Sequence, residues 1–254
     1  MRIAPILFLA IALSAQEPAP TVTPVPTLGS VRVNARDGLK YVYVTPGTFT
    51  MGCSASDPDC FVDAEGPPHK VTLTRPFWIG QTPVTQQAYL RVIGKNPSAA
   101  KGPNRPVESV TWAAAAAYCT AIGGRLPTEA EWDYAARAGS TASRPDPIDQ
   151  FAWYRSNSGD TTHDVGTKKP NAWGLYDMLG NVVQWMSDWS SPFSADPQRD
   201  PAGKPTGHAR VLRGSGYAYN LKDTRFSYRF ASAPDESERS VGFRCISTFP
   251  AAPK

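Results

Sequence analysis

The sequence predicts an α+β domain with little regular secondary structure, and three observations support this fold class. The chain of 254 residues contains 25 Pro and 20 Gly, which favour turns and fixed loops. Charged residues make up only 19%, while 7 Trp and 10 Tyr supply bulk. Short capped helices and short strand-like runs alternate with long polar loops. Together these features exclude a coiled coil, a helical bundle and a charged disordered chain.

The formal net charge is +4, and the charged residues are scattered along the chain. Proteins that bind nucleic acids or membrane surfaces usually concentrate basic residues in patches. We therefore expect no nucleic-acid partner and no binding to a membrane surface.

The N-terminus has the pattern of a secretory signal peptide. Arg2 is followed by an apolar run over residues 3–13, and small residues then precede Gln16. The run is too short to cross a bilayer, which needs about 20 apolar residues. We expect an exported protein, periplasmic or extracellular, with no membrane anchor after cleavage of the signal. The predicted parts are a signal peptide over 1–15, a Pro-rich linker over 16–30, a folded domain over 31–249 and a tail over 250–254.

Three helices are predicted from capping residues. Each begins after a threonine, whose hydroxyl can accept a hydrogen bond from a free N–H of the first turn. In the third helix, Thr128 and Glu131 form a capping box, which is the expected role of that glutamate. The helices begin after Thr85, Thr111 and Thr128, and they end at Gly94, near Ile122 and before Gly139, respectively.

Strands are predicted where β-branched and aromatic residues alternate with polar ones. Lys40–Val44 and residues 70–74 have this pattern early in the chain. After Gly139 the sequence consists mainly of Gly-, Pro-, Asn- and Asp-rich loops, with further strand-like runs at 209–213 and 241–247.

Several longer strings give the sequence a specific resemblance. In order, they are FTMG at 49–52, EGPPHKV at 65–71, TPVT at 82–85, RPVESVTW at 105–112, GRLPTEAEWDYAAR at 124–137, NAWGLYDMLGNV at 171–182, Arg213-Gly214 and VGFRC at 241–245. In order and spacing they resemble the sulfatase-modifying-factor domain of the formylglycine-generating enzyme family, over about residues 40–247. The resemblance implies a loop-rich variant of the C-type lectin fold.

The four cysteines allow three disulfide pairings. Cys53 and Cys60 flank a polar, turn-rich loop, which favours a local bridge between them. The resemblance implies the second bridge, because Cys119 and Cys245 match a disulfide pair of the family. We therefore expect structural disulfides rather than a metal or redox site.

The resemblance also locates the family's catalytic site, where two thiolates hold copper. Those thiolates would fall between Gly214 and Arg225, and the matching positions are Tyr219 and Thr224. The family's Gly-Gly-Ser is also altered, so that Gly216 takes the last position. Cu(I) selects soft sulfur ligands, and neither Tyr nor Thr can supply a thiolate. We therefore expect neither bound copper nor a thiolate-copper oxidase.

A calcium site is a second implication of the resemblance. Its ligands would be the Asp177 side chain, the Gly180 and Val182 carbonyls, and the Gln184 side chain. Calcium prefers oxygen ligands and gains affinity from carboxylates, and Gln184 stands where the family usually has Glu. A metal-free turn closed by the same groups is the alternative. Asn157 and Ser158 are a weaker suggestion for a second ion.

Aromatic and polar residues gather ahead of the last strand-like run, a mixture that is typical of contact surfaces. We expect this surface to bind a protein, peptide or glycan, with Tyr219 and Thr224 lining one hollow. The alternative is that some of its aromatics belong to the core. The predicted surface comprises Tyr217, Tyr219, Asn220, Lys222, Asp223, Thr224, Phe226 and Tyr228.

Three functions are compatible with these observations. The first is an exported binding module that has lost the thiolate-copper chemistry. The second is a periplasmic oxidase with a non-thiolate metal, similar to family members linked to siderophore maturation. The third is a formylglycine-generating sulfatase activator. The only histidines are His69, His163 and His208, which do not form a recognisable metal motif, and His69 is expected to have a structural role.

Overall fold

The computed structural model describes Met1 and residues 25–53, 57–247 and 249. The predicted signal peptide beyond Met1, linker residues 16–24 and the tail at 250–254 lie outside the described residues. Within the described ranges, no helix is long and apolar enough to cross a membrane.

The predicted caps form, and they place the three longer helices where the sequence indicates. The Thr85 hydroxyl accepts a hydrogen bond from the Ala88 N–H at 3.2 Å, and Thr111 accepts one from Ala114 at 3.2 Å. The capping box is complete, because Thr128 and Glu131 each accept from the other's backbone N–H, at 3.1 and 2.9 Å. The helices are α1 (Val62–Glu65), α2 (Gln86–Ile93), α3 (Trp112–Ala121) and α4 (Glu129–Arg137).

Short strands connect through long loops. The strands are β1 (Val31–Val33), β2 (Lys40–Val44), β3 (Gly47–Met51), β4 (His69–Leu73), β5 (Phe77–Gly80), β6 (Gly124–Arg125), β7 (Val183–Trp189), β8 (Gln198–Arg199), β9 (Arg210–Arg213), β10 (Arg229–Ser232), β11 (Val241–Gly242) and β12 (Ile246–Ser247). Among the described residues they form three sheets, in the orders β1-β2-β5-β12-β6, β10-β9-β7-β11 and β3-β4-β8.

The strand prediction is confirmed for β2 and nearly so for two others. β9 begins one residue later than predicted, and β4 is shifted by one residue at both ends. The prediction of one strand over 241–247 is wrong. β11 pairs in parallel with β7, whereas β12 pairs with β5 and β6 in a different sheet. The intervening residues carry the chain from one sheet to the other, so a single ladder cannot continue.

Buried ion pairs hold the sheet that carries β9 against α4. Glu129 at the start of α4 accepts hydrogen bonds from Arg213 at 3.1 Å and from Arg229 at 2.7 Å. Arg213 also lies 3.0 Å from the Asp133 carboxylate. Because Arg213 is the last residue of β9, this network fixes the point from which the next segment leaves the sheet.

Candidate functional site

The segment at 214–228, called the site segment below, leaves β9 through a sharp turn. Gly214 and Ser215 both have positive φ, at 95° and 59°. A Cβ on Gly214 would lie 2.8 Å from the Met178 carbonyl oxygen and 3.0 Å from Trp132, so this position requires glycine. The Tyr217 N–H then donates to the Asn181 carbonyl at 3.0 Å, which attaches the segment to the 177–184 turn.

Tyr219 takes the first position that matches a family thiolate. Its half-buried ring packs against Phe230 and Tyr228, with centroids 5.6 and 6.1 Å away. Burial raises the pKa of the Tyr219 phenol well above its ordinary value, and it raises that of Tyr228 to about 12. Both phenols therefore remain protonated at neutral pH. We call Tyr219, Tyr228 and Phe230 the aromatic cluster.

Thr224 takes the second matching position, but its side chain is fully buried. Its hydroxyl donates to the Asn220 carbonyl at 3.0 Å and lies 3.3 Å from the Ser215 hydroxyl. The hydrogen bond to Asn220 closes the turn over residues 221–223 on its buried side. The expectation that Tyr219 and Thr224 line one hollow is therefore wrong, because Thr224 completes a buried hydrogen-bond network.

Phe226 is also part of the core rather than of the predicted surface. It is 4% exposed and packs in the apolar cluster that contains Trp132 and Met178. The accessible part of the predicted surface is smaller: Tyr217, Tyr219, Asp223 and Tyr228 are half-buried, and Asn220 and Lys222 are exposed. Gly216 is buried, and its carbonyl accepts the Tyr219 N–H at 3.0 Å.

Sequence reasoning missed the residue that anchors the site segment. Arg225 is buried and donates to both carboxylate oxygens of Glu65 at 2.7 Å. Its Nε also donates to the Lys222 carbonyl at 2.6 Å, and Asp57 lies 3.4 Å away. No spacing could reveal this pair, since 160 residues separate Arg225 from Glu65.

Both disulfides form as expected. The Cα atoms of Cys119 and Cys245 are 5.5 Å apart, and those of Cys53 and Cys60 are 5.9 Å apart, within ordinary disulfide reach. All four cysteines are consumed, and the protein has no free thiol. The donor set that copper-thiolate chemistry needs is therefore missing.

The two side chains implied as calcium ligands, Asp177 and Gln184, are already engaged with protein groups. The Gln184 side-chain oxygen accepts from Trp132 Nε1 at 3.0 Å and from Arg244 Nε at 2.7 Å. Its amide nitrogen donates to the Asp177 carbonyl at 2.9 Å. Asp177 is buried, and its carboxylate accepts the Gly166 N–H at 2.7 Å. The fully buried Arg244 guanidinium thus donates to the Gln184 oxygen that a cation would need, and this arrangement does not fit calcium.

The remaining candidates have structural partners. Asn157 donates to the Ala152 carbonyl at 3.1 Å, and Ser158 donates to the Tyr217 carbonyl at 2.9 Å. The His69 Nδ1 lies 3.0 Å from the Pro67 carbonyl oxygen, which agrees with the structural role expected for it. Among the described residues, the only group of three or more possible Cys, His or acidic ligands is Cys53, Cys60 and Glu65. Its two sulfurs are bonded to each other.

Fold and site together define a loop-rich, C-type-lectin-like domain in which all four cysteines are joined in disulfides. The sequence matches the sulfatase-modifying factor enzyme 1-like domain over residues 29–249. The chain therefore belongs to the sulfatase-modifying factor family, as the sequence strings indicate.

Curated relatives include the formylglycine-generating enzyme of Streptomyces coelicolor, which is 31% identical over 305 residues. That alignment covers 91% of this chain and 93% of the enzyme. The mouse enzyme is 34% identical over 199 residues, covering 70% of this chain and 52% of its own length. The chain thus spans about half of the mammalian protein and nearly all of the bacterial one.

Solved structures confirm the fold. Treponema denticola variable protein 1 superposes with a TM-score of 0.76 at 27% identity, covering 86% of this chain and 98% of that one. PvdO from Pseudomonas aeruginosa gives a TM-score of 0.77 at 26% identity, covering 87% and 99%.

Proposed function

We propose that this protein is an exported binding module that has lost the thiolate-copper chemistry of its family. The loss of every free thiol is the observation that carries the proposal. At the first position that the resemblance matches to a thiolate, Tyr219 carries a protonated phenol. At the second, the Thr224 hydroxyl is buried in a turn and donates to the Asn220 carbonyl. Neither position can hold Cu(I) in the way that paired thiolates do.

The binding surface that we propose is the aromatic cluster together with Tyr217, Asn220 and Asp223. The cluster is half-buried, so its rings are held in place while their outer edges remain accessible. Asn220 and Leu221 beside it are exposed, the latter at 45%. Held aromatic rings next to an adaptable amide are typical of protein, peptide or glycan recognition.

Arg225 and Arg144 hold the backbone of the turn that carries this surface. Arg225 holds the Lys222 carbonyl, while Arg144 donates to the Leu221 carbonyl and pairs with Asp59. The turn is therefore fixed before any ligand arrives, which lowers the entropic cost of binding. A relative from Paenibacillus barcinonensis named chaperone protein LppX is 32% identical over 213 residues, 60% of this chain. Its name describes binding rather than oxidation.

Export is part of the same proposal. Two structural disulfides persist most readily in an oxidising compartment, and the N-terminal residues have the pattern of a signal peptide. A periplasmic or extracellular location fits both features.

An oxidase with a non-thiolate metal is the second candidate, and membership of a family that includes formylglycine-generating enzymes favours it. The donor set argues against it, because the described residues bring no second cluster of His, Asp or Glu ligands together.

Copper and iron content separates the two candidates. Purified protein is reconstituted with each metal, passed through a desalting column and measured by elemental analysis, with the Streptomyces coelicolor relative treated in parallel. The binding-module proposal predicts far less than one metal ion per chain. Tight, stoichiometric redox metal that survives desalting would overturn it in favour of the oxidase.

A further inference from the structure

A second hollow, separate from the aromatic cluster, lies between β3, the C-terminal end of α4 and residues 139–143. We call it the aromatic cleft, and its volume is about 770 Å³, within the usual range for ligand sites. Ser227 is the only residue of the site segment among its described lining residues. The lining side chains used below are Thr50, Phe49, Tyr134, Trp173, Thr141 and Ser143.

Three rings form one continuous apolar wall of the cleft. Phe49 and Tyr134 have centroids 5.3 Å apart, and Tyr134 meets Trp173 edge-on at 4.9 Å. Phe49 and Trp173 are half-buried, so each keeps an accessible face or edge. The wall offers flat apolar surface at a low cost in side-chain entropy.

Polar groups accompany these rings. Among the described lining residues they are the Tyr134 hydroxyl, the Trp173 indole N–H and the hydroxyls of Thr50, Thr141 and Ser143. These groups are donors or mixed donors and acceptors. A ligand in the cleft can therefore satisfy several neutral hydrogen bonds at once.

The cleft offers no unpaired charge among its described lining residues. Asp57 and Arg137 are its charged residues, and each is committed to an ion pair. Asp57 lies 3.4 Å from Arg225, and Arg137 lies 2.9 Å from Asp133. Phosphates, nucleotides and acidic sugars gain nothing from such a site, because no free cation receives them.

We propose that the aromatic cleft binds a neutral oligosaccharide. A sugar ring presents one apolar C–H face, which packs against aromatic rings, and a rim of hydroxyls that both donate and accept hydrogen bonds. The half-buried rings of Phe49 and Trp173, with the nearly buried Tyr134 between them, match the face, and the hydroxyl and indole groups of the lining match the rim. This site goes beyond the proposed binding surface, whose aromatic cluster does not line the cleft.

Calorimetric titration with maltohexaose, cellohexaose and chitohexaose tests the proposal on the purified protein. We expect at least one of them to bind saturably, with a Kd of about 1 mM or tighter. Trp173→Ala should weaken that binding about tenfold or more, which corresponds to about 1.4 kcal/mol. Thr50→Val, an exposed substitution of similar shape on β3, should weaken it several-fold without unfolding the protein.

Trp153→Ala is the matched control, because Trp153 stacks on His163 at 3.8 Å and does not line the cleft. It should leave saccharide binding unchanged. Absence of saturable binding for all three sugars would overturn the proposal, as would binding that Trp173→Ala and Thr50→Val leave intact. Neither result would alter the metal content, so failure here is distinct from failure of the proposed function.

Discussion

Arg225 and Glu65 form a two-pronged, buried ion pair in which each carboxylate oxygen lies 2.7 Å from a guanidinium nitrogen. The pair joins the site segment to α1, across 160 residues of sequence. Burial favours loss of the guanidinium proton, but the Glu65 carboxylate outweighs it and raises the pKa of Arg225. The contact therefore holds the turn that carries the proposed binding surface.

Glu65→Gln should destabilise the protein strongly. The variant leaves a buried guanidinium whose one remaining ion-pair partner among the described residues is Asp57, at 3.4 Å, and removing one partner of a buried pair costs about 3–5 kcal/mol. Arg125→Gln is the control, since Arg125 is 47% exposed in its pair with Glu131 and such pairs contribute about 0–1 kcal/mol. Urea unfolding measures both. Equal losses in the two variants would contradict the anchoring role of Arg225.

Asp188 should make stability fall as the pH rises toward neutrality. Burial, together with the nearby Glu129 charge, raises the pKa of this carboxyl to about 7. The folded state then holds a proton between about pH 4 and about pH 7 that the unfolded state has released. The free energy of unfolding therefore declines through that window, by at most about 1.4 kcal/mol per pH unit from this group.

Asp188→Asn should remove that decline, because an amide oxygen can still accept from the Glu129 N–H and the Ser187 hydroxyl. Asp200 should contribute to the pH dependence of the unfolding free energy with the opposite sign, and Asp200→Asn should remove that contribution. Hydrogen bonds from Thr74 lower the pKa of Asp200, so its contribution is present above about pH 4 and is lost below. Unfolding midpoints across pH test both variants, and an unchanged slope in Asp188→Asn would refute the assignment.

Tyr219 and Tyr118 should respond differently to truncation, because one borders solvent and the other does not. Tyr118 is fully buried, stacks on Tyr89 at 5.4 Å and lies 3.3 Å from Asp37. Tyr118→Ala should cost about 3–5 kcal/mol, as large core truncations do. Tyr219→Ala should cost less than half as much and remain folded. A comparable loss would place Tyr219 in the core and remove it from the proposed surface.

Calcium should leave the thermal stability unchanged. The Gln184 oxygen accepts from Trp132 and Arg244, so this side chain has no free lone pair to offer a cation. A site at a hundredfold excess of ligand over Kd would add about 2.7 kcal/mol, a readily visible rise in Tm. Melting with calcium or with a chelator measures this. A rise that requires calcium would show that the turn rearranges to bind the ion.

Local chemistry made the helices predictable. The threonines at 85, 111 and 128 cap the helices that follow them, and each cap depends only on neighbouring residues. Strand β2 was equally predictable, because β-branched and aromatic residues alternate within one short run. The polar loop between Cys53 and Cys60 indicated the local disulfide, and the family strings added the fold and the Cys119–Cys245 disulfide.

Long-range partners explain what the sequence did not reveal. β7 contains Gln184 and Asp188, which look like solvent-facing residues but are buried beside Arg244 and the Glu129 N–H. Thr224 looks accessible in a polar loop, yet its hydroxyl closes a buried turn. For Gln184 and Asp188 the decisive partner lies on another element. The partner of Thr224 is local, but its burial depends on how the whole site segment folds.

The loss of thiolate-copper oxidation is the central claim, and oxygen-dependent loss of a peptide thiol tests it most directly. The protein is incubated with Cu(I), oxygen and a cysteine-containing sulfatase peptide, and the Streptomyces coelicolor relative serves as the positive control. Without a free thiol of its own, this protein should leave the peptide thiol at the rate of the protein-free reaction. Catalytic conversion of that cysteine to formylglycine, with matching oxygen uptake, would contradict the account.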